Sequence, residues 1–140
     1  ILPVTARALA EIPNLMGIKE ASGDIVRVSR LADALPVYTG NDDQTVPILS
    51  LGGVGVISVI SNLFPARMAA LCRLIREGKV TEAVREQIAL IPLCDALFCE
   101  VNPMPVKAAM RYMGFDCGSC RLPLCSLKPE NEKRIVSFLA

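Results

Sequence analysis

Histidine is missing from all 140 residues, and that absence removes whole classes of chemistry. Neither a Ser-His-Asp nor a Cys-His catalytic set can be assembled, nor a histidine metal site. An excess of one charge is missing too. Fifteen Lys and Arg stand against 14 Asp and Glu, mixed along the chain for a net charge of +1, so there is no electrostatic footprint for a nucleic-acid partner. Apolar runs such as Val54 to Ile60 are too short to cross a bilayer, which excludes a membrane-spanning role. The opening Ile-Leu-Pro-Val-Thr-Ala-Arg carries neither an initiator methionine nor the basic segment and cleavage site of a signal peptide. It starts in what reads as the middle of a helical unit. The expectation is therefore a fragment or processed piece of a cytoplasmic protein. No segment repeats at solenoid periods and none is low-complexity.

What is present is largely apolar. Hydrophobic residues make up 52% of the chain and the mean hydropathy is +0.44, which argues against disorder. Such a composition suits a chain whose surface is covered by something else. Of the six cysteines, Cys117-Gly-Ser-Cys120 with Cys125 looks like half of a zinc ribbon. A second closely spaced pair is lacking, because Cys94 and Cys99 lie five apart within a helical pattern. Cys72 falls on the apolar face of another helix. The expectation is reduced, mostly buried thiols and no metal.

Apolar periodicity and punctuation divide the chain. A helix is expected over Pro3 to Glu11, a buried strand over Leu15 to Lys19 and a helix over Asp24 to Leu35. A second strand, Val37-Tyr38-Thr39, precedes a helix over Gln44 to Leu51 capped by Asp42 or Asp43, and a third strand runs from Gly55 to Val59. Beyond Ser61 the pattern is helical. Asn62 would cap a helix running to Glu77, and Pro92 would kink or divide a long one over Val80 to Phe98. Shorter helices follow over Val106 to Met113 and Pro129 to Leu139. Helix–strand alternation at this spacing makes a parallel α/β sheet, with strands apolar on both faces. The expected fold is the C-terminal portion of a (β/α)8 TIM barrel, about three βα units over residues 1–61. A final barrel helix and a C-terminal helical domain would occupy residues 62–140.

Lys19 is the candidate catalytic residue. A lone lysine at the carboxyl end of a buried strand is desolvated, which disfavours the ammonium form and frees the amine for Schiff-base chemistry. A lysine that snorkels to the strand end and does nothing chemical is the competing reading. Gly52-Gly53-Val54-Gly55 is no dinucleotide fingerprint, and no cofactor is implied.

Gly17-Ile18-Lys19-Glu20-Ala21-Ser22-Gly23-Asp24 resembles the Schiff-base lysine segment of the pyruvate-dependent class I aldolases of the N-acetylneuraminate lyase superfamily. Thr39-Gly40-Asn41-Asp42 and Gly52 to Ser58 are similar to the ends of the next two barrel strands. Asn102-Pro103-Met104-Pro105-Val106-Lys107, followed by Arg121-Leu122-Pro123-Leu124, is similar to the C-terminal domain of the dihydrodipicolinate synthase family. The resemblance implies condensation of pyruvate with aspartate semialdehyde in lysine and diaminopimelate biosynthesis, by a homo-oligomer. It assigns Lys19 as the imine-forming residue, and Gly40 and Ile57 as backbone positions lining the pyruvate pocket. The family's proton-relay tyrosine and its carboxylate-binding arginine come from earlier strands that this chain does not contain, and Tyr38 and Tyr112 do not match them. Two other readings stay open: a different pyruvate aldolase acting on sialic acid or a 2-keto-3-deoxy sugar acid, and a non-catalytic assembly fragment.

Overall fold

The computed structural model describes residues 1–139. Helix α1 (Pro3–Ala10) leads to strand β1 (Ile18–Glu20), α2 (Ile25–Ala32) and β2 (Val37–Thr39). A 3-10 turn at Asp42–Gln44 opens α3 (Thr45–Ser50), and β3 (Gly55–Val56) runs into a second 3-10 turn at Ile60–Asn62. Four helices follow: α4 (Pro65–Arg76), α5 (Val80–Leu97), α6 (Met104–Tyr112) and α7 (Pro129–Val136). The strands form one parallel sheet in the order β1-β2-β3, with Lys19 opposite Tyr38 and Tyr38 opposite Gly55. The expected α/β alternation is present.

The sheet is covered on one face only. Val37 packs with Ala6, Val28, Leu31, Leu35 and Ile48, so α1, α2 and α3 bury that side. Lys19 and Tyr38 alternate onto the other face, as neighbours in a strand must, and both are exposed. The expectation of strands buried on both faces is thereby corrected: Lys19 and Tyr38 leave the second face open. A second, larger core gathers Leu71, Leu90, Leu93, Leu97, Ala109 and Ile135 from α4 to α7.

Several boundaries differ from the sequence-based expectation, each for a local reason. β1 begins at Ile18 and not at Leu15, because Leu15 closes a turn by donating its N–H to the Ile12 carbonyl. β3 ends at Val56; the Ile57 amide still bonds across to β2, and the amides of Val59 and Ile60 leave the ladder. The Asp42 carboxylate accepts from Val59 N–H at 2.8 Å and Ile60 N–H at 3.4 Å. Neither Asp42 nor Asp43 caps α3, which has no side-chain cap. One of its first-turn amides, Val46 N–H, donates instead to Gln87 Oε1 of α5 at 3.0 Å. Asn62 caps nothing either, since α4 begins at Pro65 and the Asn62 amide donates to the Val59 carbonyl. Pro92 lies inside an unbroken α5. It frees the carbonyl four residues back, at Ile88, and both residues lie on the exposed side where water serves that group.

Asp42 is 1% exposed, and its main-chain carbonyl accepts from Gln87 Nε2 at 2.9 Å. Burial pushes its carboxyl above the ordinary value of 3.8, against the pull of Ser58 and of the Val59 and Ile60 amides. A raised native value means that folding favours the protonated form. That contribution is complete below 3.8 and is lost as pH rises through the native value. Asp42→Asn keeps an acceptor for Val59 N–H and removes the buried charge. In thermal unfolding between about pH 4 and pH 7, the melting-temperature difference should shift in favour of the variant as pH rises. Parallel pH profiles for the two chains would contradict this.

Candidate functional site

The segment following β1 is built as a strand-to-helix turn. The Glu20 carboxylate accepts from the Ser22 amide and hydroxyl, and Ser22 Oγ accepts from Asp24 N–H. Asp24 then caps α2 by accepting from Arg27 N–H at 2.9 Å. Gly23 supplies the left-handed φ of +79° that the turn requires. Glu20, Ser22 and Asp24 are thus occupied in the turn, whereas Lys19 has no local structural duty. Among the described residues no carboxylate lies within ion-pair distance of it.

Lys19 is exposed, which corrects the expectation of a lysine buried in a desolvated strand. The reason is the bare second face of the sheet. Its side chain crosses the end of β2 directly above Gly40, where a Cβ would stand 2.6 Å from Lys19 Cε and 2.8 Å from Ala21 Cβ. Gly40 also extends the ladder, donating its N–H to the Glu20 carbonyl at 2.7 Å. Ile57 follows β3, its N–H bonded to the Thr39 carbonyl at 2.8 Å.

Lys19 and Ile57 line one cleft of about 370 Å³, shared with Asn62, Asn102, Lys107 and Cys117. Gly40 is not among its lining residues, but it lies under the stem of Lys19. The three positions expected from the sequence are therefore neighbours. Sequence reasoning assigned no role to Lys107, although the Asn-Pro-Met-Pro-Val-Lys motif ends on it. In the structure its ammonium donates to the Ser119 carbonyl at 3.0 Å and forms part of the cleft wall opposite the sheet.

The cysteines are less buried than expected. Cys72 and Cys94 are core residues, Cys99, Cys117 and Cys120 are half-buried, and Cys125 is exposed because its loop runs over the surface. Burial pushes the Cys72 thiol up, and burial together with Asp42, Asp43 and Asp95 pushes Cys94 to about 12. Among the described residues no three His, Cys, Asp or Glu side chains are grouped so as to hold a metal ion. No helix among them is long and apolar enough to cross a membrane.

Gly40→Ala separates the two contacts above. Lys19 can swing aside, but the Ala21 methyl group is fixed to the backbone. We expect the substitution to cost about 1–3 kcal/mol by overpacking, and a second change, Ala21→Gly, to recover most of that loss. Unfolding in urea checks both. An unrecovered double variant would show that the methyl contact is not the cause.

The whole chain, residues 1–140, matches the family model described as the dihydrodipicolinate synthetase family. It is 46% identical over 136 residues to 4-hydroxy-tetrahydrodipicolinate synthase of Caldicellulosiruptor bescii, covering 95% of this chain and 46% of that protein. It superposes on the crystal structure of dihydrodipicolinate synthase from Thermotoga maritima with a TM-score of 0.93 at 39% identity, over 99% of this chain and 50% of that one. The chloride-inhibited dihydrodipicolinate synthase from Acinetobacter baumannii, complexed with pyruvate, gives a TM-score of 0.91 at 38% identity, over 99% and 49% of the two chains. The chain thus spans about half the length of the relatives it matches. On these grounds it belongs to the dihydrodipicolinate synthetase family.

Proposed function

We propose that this chain carries the Schiff-base half of a pyruvate-dependent class I aldolase, a carbon–carbon lyase of lysine and diaminopimelate biosynthesis that condenses pyruvate with aspartate semialdehyde. The observation that carries the reading is Lys19, free of structural duty, beside Ile57 in a cleft with Gly40 beneath its stem. In this reading the Lys19 amine attacks the pyruvate ketone and water leaves to give the imine. The imine then draws the electron pair released when the adjacent methyl group loses a proton. The resulting enamine carbon attacks the aldehyde, and water releases the product from Lys19. Gly40 leaves room for the amine to reach the ketone, and the backbone at Ile57 borders the pocket.

The bare face of the sheet fits a (β/α)8 barrel of which residues 1–61 form the last βα units, with residues 62–140 supplying the final barrel helix and a helical domain. The remaining strands would cover Lys19, exclude water and contribute acid–base groups, which supply a large share of such rates. The full enzyme would act in the cytoplasm as a homo-oligomer, and this chain alone would turn over slowly or not at all. Met16 (86% exposed), Val54, Ile57 and Tyr38 are apolar side chains left exposed, which favours one second reading: a fragment whose role is assembly with a complementary segment. The cleft offers no observation favouring sialic acid or a 2-keto-3-deoxy sugar acid as substrate.

The test is intact mass after incubation with pyruvate and borohydride. Imine formation followed by reduction adds one pyruvic acid less one oxygen atom. Peptide mapping should place that gain on Lys19, and Lys19→Arg should abolish it. A gain on Lys107 in place of Lys19 would move the nucleophile to the other wall. No gain, with a full-length relative reacting in parallel, would leave only the assembly reading.

A further inference from the structure

Three carboxylates that take no part in the chemistry proposed for Lys19 share a second cleft, of about 190 Å³. One wall is the 3-10 turn after β2, which contributes Asn41, Asp42 and Asp43. The other is the end of α5, which contributes Cys94, Asp95 and the adjoining Phe98. Gln87 fixes the two walls to each other, its amide donating from α5 to the Asp42 main-chain carbonyl at 2.9 Å. Among the described residues no Lys or Arg lines this cleft, and none of the three carboxylates takes part in an ion pair. Asp42 adds an observation beyond the grouping of acids. It is buried, and its Oδ2 receives the Val59 and Ile60 amides, but its Oδ1 has no hydrogen-bond partner. A buried carboxylate oxygen without a donor is costly and calls for a positive or hydrogen-bonding partner. Its charge is felt within the cleft: after burial itself, Asp42 is the strongest influence pushing up the Cys94 thiol, ahead of Asp43 and Asp95.

We propose that this cleft binds a short aliphatic diammonium ion, with one ammonium at the Asp42–Asp43 wall and the other at Asp95. The acidic side chains do not converge as a metal ion requires. Carboxylates on two opposed walls suit instead a ligand whose two charges are held apart by methylene groups. Each ammonium brings three N–H donors and no acceptor, which matches a lining rich in acceptors. The first ammonium brings its charge to the wall that holds the unpartnered Asp42 oxygen. Asn41 donates its own amide to Gln44 at 3.4 Å, which leaves its side-chain oxygen as a further acceptor. Phe98, about half exposed, offers the methylene groups an apolar surface and the second ammonium a ring face. The volume suits a chain of a few carbons and is below that of sites for drug-sized molecules. The proposal stands independently of the role given to Lys19.

The full chain is titrated with putrescine at neutral pH and low salt, followed by amide NMR shifts and by calorimetry. Shifts should concentrate at residues 41–43 and 94–98, and binding should weaken several-fold at high salt. Butylamine, with one ammonium, should bind several-fold more weakly than putrescine. Asp43 and Asp95 are exposed, so Asp43→Asn and Asp95→Asn should keep the fold, and each should weaken putrescine several-fold. Asp95→Asn should also erase the advantage of putrescine over butylamine. Glu130→Gln, which removes an exposed carboxylate that does not line the cleft, should change nothing. No binding, shifts centred elsewhere, or full affinity in Asp95→Asn would overturn the site. Equal affinity for butylamine and putrescine would overturn the diammonium class, and so would displacement of putrescine by an equal concentration of magnesium ion.

Discussion

The hydrogen bonds from the Val59 and Ile60 amides to the buried Asp42 carboxylate are the constraint on which the rest of the structure depends. They draw the chain out of the ladder beyond β3 and into the 3-10 segment that precedes α4. The main chain of Asp42 is in turn anchored to α5 through Gln87, whose other end receives the first turn of α3. One buried polar node therefore couples the end of the sheet to the helical half of the molecule. A carboxylate so enclosed is costly, as its raised protonation value shows, and it persists because the amides it serves would otherwise be orphaned. The node brings Ile57 to the end of β3, beside Lys19, and α6 completes the opposite wall of the cleft.

The second organising fact is the asymmetry of the sheet. Helices α1, α2 and α3 bury one face, while Lys19 and Tyr38 stand exposed on the other. A lysine amine gains reactivity as a nucleophile where its surroundings exclude water. In the proposed function the fold supplies the position of Lys19, and whatever covers the bare face supplies its reactivity.

Much of this was legible in the sequence. Proline and glycine punctuation located the helices, and β2 was delimited to the residue because Pro36 and Gly40 bracket it. The lysine motif, Gly40 and Ile57 fell out as neighbours. What was not legible depended on long-range partners. Asp42 looked like a helix cap because an acid ahead of a helix usually is one, and only the fold brings the amides of Val59 and Ile60 to it. Gln87 gave no signal as a mid-helix polar residue, although it closes two hydrogen bonds forty or more positions away in sequence. The exposure of Lys19 was misjudged because a strand's apolar run reports which residues seek cover, and not whether cover is present. Lys107 was visible only as the last letter of a motif.

The central claim is that Lys19 is a Schiff-base lysine whose reactivity depends on covering the bare face of the sheet. The most direct measurement is an NMR spectrum of pyruvate isotopically labelled at its ketone carbon, recorded with this chain alone and with the chain paired to the upstream half of a full-length relative. The account predicts that the ketone signal gives way to an imine signal in the paired sample, weakly or not at all in the chain alone, and in neither sample once Lys19 is replaced by arginine. An imine signal that survives Lys19→Arg would contradict it.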